Sequence, residues 1–481
     1  MSSASLPASA WSPTGFAEPR TRPAASPSRK WGIRLVFLTL LIWPIGFVAG
    51  IRPAVMALTM VGFAAAVGGL KSPSLGMLGI GLLCTLEPLT NALVLIGTIF
   101  RWNTLNYWLV LIIVLNGIFL IRRNDLQTRL LEIWLAVICL GLIHSTDFNA
   151  GVQEILEIVV AFGLLVYLWK AAGTDDEIWL WMAYLNATVA AVGGLVFFVV
   201  GADLVDVAGA SDNFNRNAWA YLPVVGLFSI CLGISRASRK GQLVLAALGI
   251  VNAGWVFMVG SRGGAFVGLI CLPYLLAQMK GNTRRAIVLA DWAAIGAAVY
   301  VSFHDRLEHS FERISILLDK QADPRARTSG RSDLVLAGWR IFQEHPVFGV
   351  GSASYPYYWL RMRNGNAMTG YGFGIERPAH SGWIRTLAEN GLVGFTFHAL
   401  YVLSFAVVGW RKRREGLFPL GLLVTAALAI AYISIEMQAK GLWFLAISAT
   451  VLFHHPTAGP RALARRRARG GSVSPGHGAP T

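Results

Sequence analysis

The chain alternates long apolar stretches with short polar breaks over nearly its whole length. Apolar runs cover 35–50, 54–70, 74–98, 105–121, 130–144, 152–169, 178–200, 217–235, 242–260, 264–279, 286–302, 382–410, 417–433 and 441–455. Most approach the roughly 20 residues that a helix needs to cross about 30 Å of hydrocarbon. Their apolar positions are continuous, not alternating, so the pattern predicts helices and not the strands of a barrel. Several runs are short, and the expectation is about 12–14 transmembrane helices in an all-α polytopic membrane protein.

One break, 303–381, is far longer than the others and has a pattern of its own. In "SDLVLAGWRIFQEHPVFGVGSASY", Ser332 is a candidate N-cap. Val335, Trp339 and Phe342 recur at i, i+4 and i+7 and predict an apolar stripe. Pro346 ends that helix, and Gly349 and Gly351 allow a tight turn. The expectation is an amphipathic helix on the membrane–water boundary, then an aromatic patch of Tyr355, Tyr357, Tyr358 and Trp359. Such a patch reads either as an interfacial belt or as a platform for stacking sugars.

Composition agrees with a membrane protein: 14% of residues are charged and 55% are hydrophobic, against about a quarter charged in soluble domains. Charge then sets orientation. With the N-terminus inside, 25 of the 41 Lys and Arg fall on cytoplasmic segments, and the short outer loops keep only Arg52, Arg101, Arg216, Arg262 and Lys440. The rest lie in or beside the long loop, and long loops escape the positive-inside rule. The net charge of +16 thus reads as topology and attraction to anionic membrane lipids, not as a sign of nucleic acid. The divisions expected are a disordered basic cytoplasmic tail at 1–34, a transmembrane bundle at 35–302, and a long outer loop at 303–381. C-terminal transmembrane helices follow at 382–455, and a second disordered basic cytoplasmic tail at 456–481. The N-terminal segment does not read as a cleavable signal, because the apolar stretch after it runs into a second span.

Against this background a few polar residues stand out. Arg262, in "GSRGGAF", joins two apolar runs with almost no polar linker. It either snorkels or, given Gly260, Gly263 and Gly264, points its guanidinium into a cavity. Arg216, in "NFNRNAWAY", opens a span among Asn213, Asn215 and Asn217. Those asparagines read as capping, or as an anion site at a helix N-terminus. Arg331 starts the amphipathic helix, where a cation opposes the helix dipole, so ligand binding accounts for it better than helix stability; Asp333 is a competing partner. His380 lies where the long loop re-enters the membrane, either structural or a general base. Arg385 and Glu389 are spaced i, i+4 as an ion pair. The three arginines and His380 together suggest an anionic, phosphorylated, lipid-linked substrate, since the planar fork of arginine suits phosphate.

Other chemistries find little support. There is no Walker loop and no H-E-x-x-H. The first outer loop, Ile51-Arg52-Pro53, has no carboxylate for a metal. Asp203, Asp206 and Asp212 are one loosely spaced outer cluster. Cys84, Cys139, Cys231 and Cys271 all lie in apolar runs without C-x-x-C spacing and read as apolar packing.

His380-Ser381, nine residues, then Gly391 and Gly394, resembles the pattern of the O-antigen ligase and polysaccharide polymerase family. "SRGG" at 261–264 and "GRSDLVLAGWRIFQEHPVFGVG" at 330–351 resemble further family segments in the same order. The likeness is specific over roughly 210–400. It implies a GT-C-like fold in a bacterial inner membrane. It also implies transfer of a glycan from an undecaprenyl diphosphate carrier to an acceptor hydroxyl on the periplasmic side. As implied by the resemblance, His380 takes the acceptor proton, and Arg262, Arg331 and Arg216 hold the diphosphate. No cofactor and no metal are implied. The acceptor would be lipid A–core in a lipopolysaccharide ligase or a growing glycan in an exopolysaccharide polymerase. Partners would include other polysaccharide assembly proteins. The alternative is a lipid-linked glycan transporter without transferase activity.

Overall fold

The computed structural model describes residues 26–49, 51–92, 125–175, 177–200, 216–258, 262–279, 331–364, 379–434 and 440–455, with isolated positions from 281 to 293. Every regular element among these residues is helical. The N-terminal part comprises α1 (Pro27–Ala49), α2 (Ile51–Gly68), α3 (Pro73–Ala92), α4 (Leu126–Gly141), α5 (Phe148–Thr174) and α6 (Ile178–Val200). Then come α7 (Arg216–Gly233), α8 (Arg239–Met258) and α9 (Arg262–Gln278). The long break contributes α10 (Arg331–Glu344) and α11 (Tyr355–Asn364), and the chain continues with α12 (Gly382–Arg411), α13 (Phe418–Ser434) and α14 (Lys440–His454). The expected span at 105–121 lies outside the described residues, as does that at 286–302 apart from isolated helical positions. Leu126–His144, Ile178–Leu195 and Gly382–Arg411 are long and apolar enough to cross a membrane.

Local chemistry sets several starts. Asp125 caps α4 by accepting the amide hydrogen of Thr128 at 2.9 Å, and Asp147 caps α5 through Ala150 at 3.0 Å. Prolines open α1 and α3, where the missing N–H costs nothing. α1 begins at Pro27, ahead of the apolar run expected from 35. The reason is a polar anchor from the α5–α6 turn: the Ser28 amide donates to Asp175, and Ser26 Oγ donates to Glu177 at 2.7 Å.

Named contacts give the helix directions. α2 and α3 are antiparallel, with Gly62 against Leu83 and Gly68 against Leu75. α6 and α7 are antiparallel, with Gly226 beside Ala190 and Gly233 beside Ala183. α7 and α9 run parallel, since Gly268 faces Leu227 and the free thiols of Cys231 and Cys271 are neighbours. α12 is antiparallel to α4, with Trp134 stacked on His398 and Gln127 Nε2 donating to the Ser404 carbonyl at 3.5 Å. It is antiparallel to α13 as well. There Gly409 and Gly421 cross so closely that a Cβ on Gly421 would lie 2.4 Å from the Phe405 oxygen, a small-residue contact of the kind that draws membrane helices together. One large apolar core joins all these helices.

A second, smaller core lies where the long break meets α12. It contains Leu334, Ala337, Ile341, Val350, Tyr355, Trp359, Ala379 and Ala388. One expectation changes here, and a second apolar face comes into view. The helix starts at Arg331, so Ser332 is inside it and not its N-cap. The face turned to the protein is Leu334, Ala337 and Ile341, while Val335 and Trp339 stay 40% and 45% exposed. α10 is therefore apolar on two faces: one packs on α12, and the other, the predicted stripe, is exposed. The aromatic patch also divides. Tyr355 and Trp359, one turn apart on α11, are buried, and Tyr357 is exposed. The Tyr355 hydroxyl donates to the Leu334 carbonyl at 2.7 Å, so this ring ties α11 to α10.

Candidate active site

α10 lies along the first half of α12, pointing the same way. A Cβ on Gly338 would meet Ile384. The amide of Leu392 donates to Pro346 at 2.9 Å, and that of Val393 to Val347 at 3.2 Å. These three pairs keep one constant register, so Arg331, at the head of α10, is brought level with the start of α12 and His380.

α12 is not continuous. Gly391 has φ 60 and ψ −162 and interrupts the helix. In an unbroken helix the Leu392 amide would bond the Ala388 carbonyl, and the Val393 amide the Glu389 carbonyl. Here the turn after α10 inserts between them. Its amides of Val350 and Gly351 donate to the carbonyls of Ala388 and Glu389 at 3.0 and 2.9 Å, and its carbonyls of Pro346 and Val347 take the freed amides. All four orphaned groups are thus satisfied, as a buried or membrane-embedded backbone requires. Gly349, at φ 70, allows the approach: its Cβ would lie 2.3 Å from the carbonyl carbon of Glu389. Of the G-x-x-G pair, Gly391 is the residue that breaks α12. A Cβ on Gly394 would meet Asn390 of its own helix and lie 3.5 Å from Val137 of α4.

A buried ionic cluster sits just above the break. Arg385 Nε donates to Glu389 Oε2 at 3.0 Å, and its Nη2 donates to Glu154 Oε2 of α5 at 3.1 Å. Glu389 Oε1 accepts the Tyr355 amide at 2.9 Å, the head of α11. The i, i+4 pair expected within α12 is present, but its reach across to α5 and α11 was not legible. Glu154 had a signal of its own, because an acid inside an apolar run needs a partner.

His380 is half-buried and takes a left-handed φ of 50, an uncommon backbone for a non-glycine residue and one that recurs at functional positions. Its neighbours are fastened: Ala379 lies in the small core, Ser381 Oγ donates to the Tyr432 carbonyl at 3.0 Å, and Trp383 Nε1 donates to Ala429 at 2.9 Å. Arg216 and Arg262 head α7 and α9. α7 and α9 run parallel, so the heads bearing Arg216 and Arg262 lie at one end of that pair. Asp203, Asp206 and Asp212 lie outside the described residues, and no group of metal-binding side chains occurs among the described ones.

Residues 224–399 match the O-antigen ligase family. The chain carries an O-antigen ligase domain. No curated protein matches the chain. The O-antigen ligase domain takes in α10, α11, the break in α12, Arg262, Arg331 and His380, while Arg216 and Glu154 lie ahead of it. The chain is thus an all-helical membrane protein in which residues 224–399 are similar to the O-antigen ligases, a likeness that supports glycosyltransferase-like activity in general.

Proposed function

We propose that this protein transfers a glycan from an undecaprenyl diphosphate carrier to an acceptor hydroxyl at the periplasmic face of a bacterial inner membrane. Both termini are then cytoplasmic, 303–381 is periplasmic, and the residues ahead of α1 and 456–481 are basic tails. The observation that carries the reading is the parallel register of α10 on α12, which sets the heads bearing Arg331 and His380 side by side.

In this reaction the acceptor oxygen attacks the anomeric carbon, the bond from that carbon to the diphosphate oxygen breaks, and the diphosphate leaves with the bonding electrons. The leaving group needs charge stabilisation more than a proton, and Arg331, Arg262 and Arg216 supply it. The acceptor hydroxyl must lose its proton, and His380 takes it. No step requires a metal. Transfer from purified lipid diphosphate glycan by the reconstituted full chain, with chelator present, tests the reading. Turnover that depends on His380 supports it. Turnover restored only by added divalent cation would sink the metal-free scheme.

A further inference from the structure

Resting on that reading, we propose that Glu389 is a positioning residue: it locks the arginine-bearing α10 module to the histidine-bearing α12.

Glu389 is wholly buried, and its two oxygens face different ways. One accepts the Tyr355 amide, at the head of α11. The other takes Arg385, one turn toward His380 on its own helix, and Arg385 in turn reaches α5 through Glu154. Its main-chain carbonyl accepts the Gly351 amide. One residue thus grips the module by side chain and by main chain, directly above the place where α12 is broken. A broken helix has no intrinsic register between its halves. The inserted turn supplies one through backbone bonds, and the carboxylate closes the same joint from the other side. Tyr355 passes the hold on to α10 through its hydroxyl on Leu334, one turn from Arg331. Slippage of α10 along α12 by a fraction of a turn would separate the proposed phosphate-holding arginine from the proposed base. A misplacement near 1 Å can cost about 10²-fold in rate.

A cross-link reads this register without any turnover. A Cβ on Gly338 lies 3.7 Å from the Ile384 Cβ, within the usual span of a disulfide. Gly338→Cys with Ile384→Cys, in the full chain in native membranes and with the exposed Cys139 changed to Ser, forms a disulfide quickly under mild oxidation. Glu389→Ala in that background slows it several-fold. Glu389→Gln, which keeps an acceptor for the Tyr355 amide, restores it. If the Ala variant does not accumulate, Glu389→Asp carries the same test, because its carboxylate is one methylene short of both partners.

In transfer assays, reduced Glu389→Ala loses kcat by about 10²-fold with KM for the lipid-linked donor little changed, and oxidation to the 338–384 disulfide returns most of it. Cross-linking by Glu389→Ala, or by Glu389→Asp in its place, as fast as that of the parent would overturn the proposal, as would a disulfide that forms but leaves kcat low. Should the parent chain show no transfer, the functional reading fails, and the cross-linking rates still decide the role of Glu389.

Discussion

Gly391 and Gly349 meet backbone to backbone: a Cβ on Gly391 would lie 2.6 Å from the Gly349 nitrogen and 2.3 Å from the Val347 oxygen. There is no room for a side chain where the turn after α10 enters α12. We predict that Gly391→Ala destabilises the protein severely, through a strained φ that alone costs about 1–3 kcal/mol and a clash with main chain that cannot yield. Gly416→Ala is the control. Its φ is 78, but nothing lies within 4 Å of its Cβ, so only about 1–2 kcal/mol is at stake. Thermal unfolding in detergent should rank Gly391→Ala well below Gly416→Ala; equal midpoints would mean that the turn can withdraw freely.

The Arg385 cluster yields a second contrast. Arg385→Met leaves two buried carboxylates without their shared cation, and breaking a buried pair in this way costs about 3–5 kcal/mol. Adding Glu154→Gln to Arg385→Met should recover part of the loss, because one uncompensated charge is then removed. The double variant's unfolding midpoint is the measurement, and a midpoint no higher than that of Arg385→Met would argue against direct coupling between the two residues.

Replacing His380 should affect chemistry and not the fold. His380→Gln retains hydrogen bonding but takes up no proton, so transfer should fall by about 10²–10⁴-fold at an unchanged expression level. If His380→Gln keeps more than about a tenth of the parental rate, base catalysis lies elsewhere.

Arginine geometry can be separated from arginine charge. Arg262→Lys and Arg331→Lys keep the charge and lose the planar fork. Both should impair transfer, and Arg216→Lys should do so to a lesser extent. Wild-type polymer levels in complementation at matched expression would indicate that Arg262 only snorkels.

Orientation has its own check. An impermeant thiol reagent added to intact cells should label a cysteine introduced near position 325 and leave one near position 470 unlabelled. The reverse pattern would invert the topology.

Much of this protein is legible in its sequence, because a bilayer leaves a chain few choices. Backbone groups in hydrocarbon must bond within their own segment, so fourteen apolar runs already announce helices, and twelve of them have helices among the described residues. His380 and Arg331 stand out for a related reason, since an ionisable residue at the edge of an apolar run needs an explanation. The paired charges of Arg385 and Glu389 could be read from their i, i+4 spacing.

What the sequence could not disclose is what closes the gap at Gly391. A glycine within an apolar run is ordinary in membrane helices, and nothing local marks this one as left-handed. The break becomes tolerable only because Pro346, Val347, Val350 and Gly351, some forty residues earlier, arrive with two carbonyls and two amides in the right order. For the same reason the face of α10 that packs on the protein went unread: Val335, Trp339 and Phe342 form a sound stripe, but so do Leu334, Ala337 and Ile341. Periodicity shows that a helix has an apolar face. When it has two, only the neighbour decides which one is buried, and here α12 chose the second because Gly338 lets Ile384 come close.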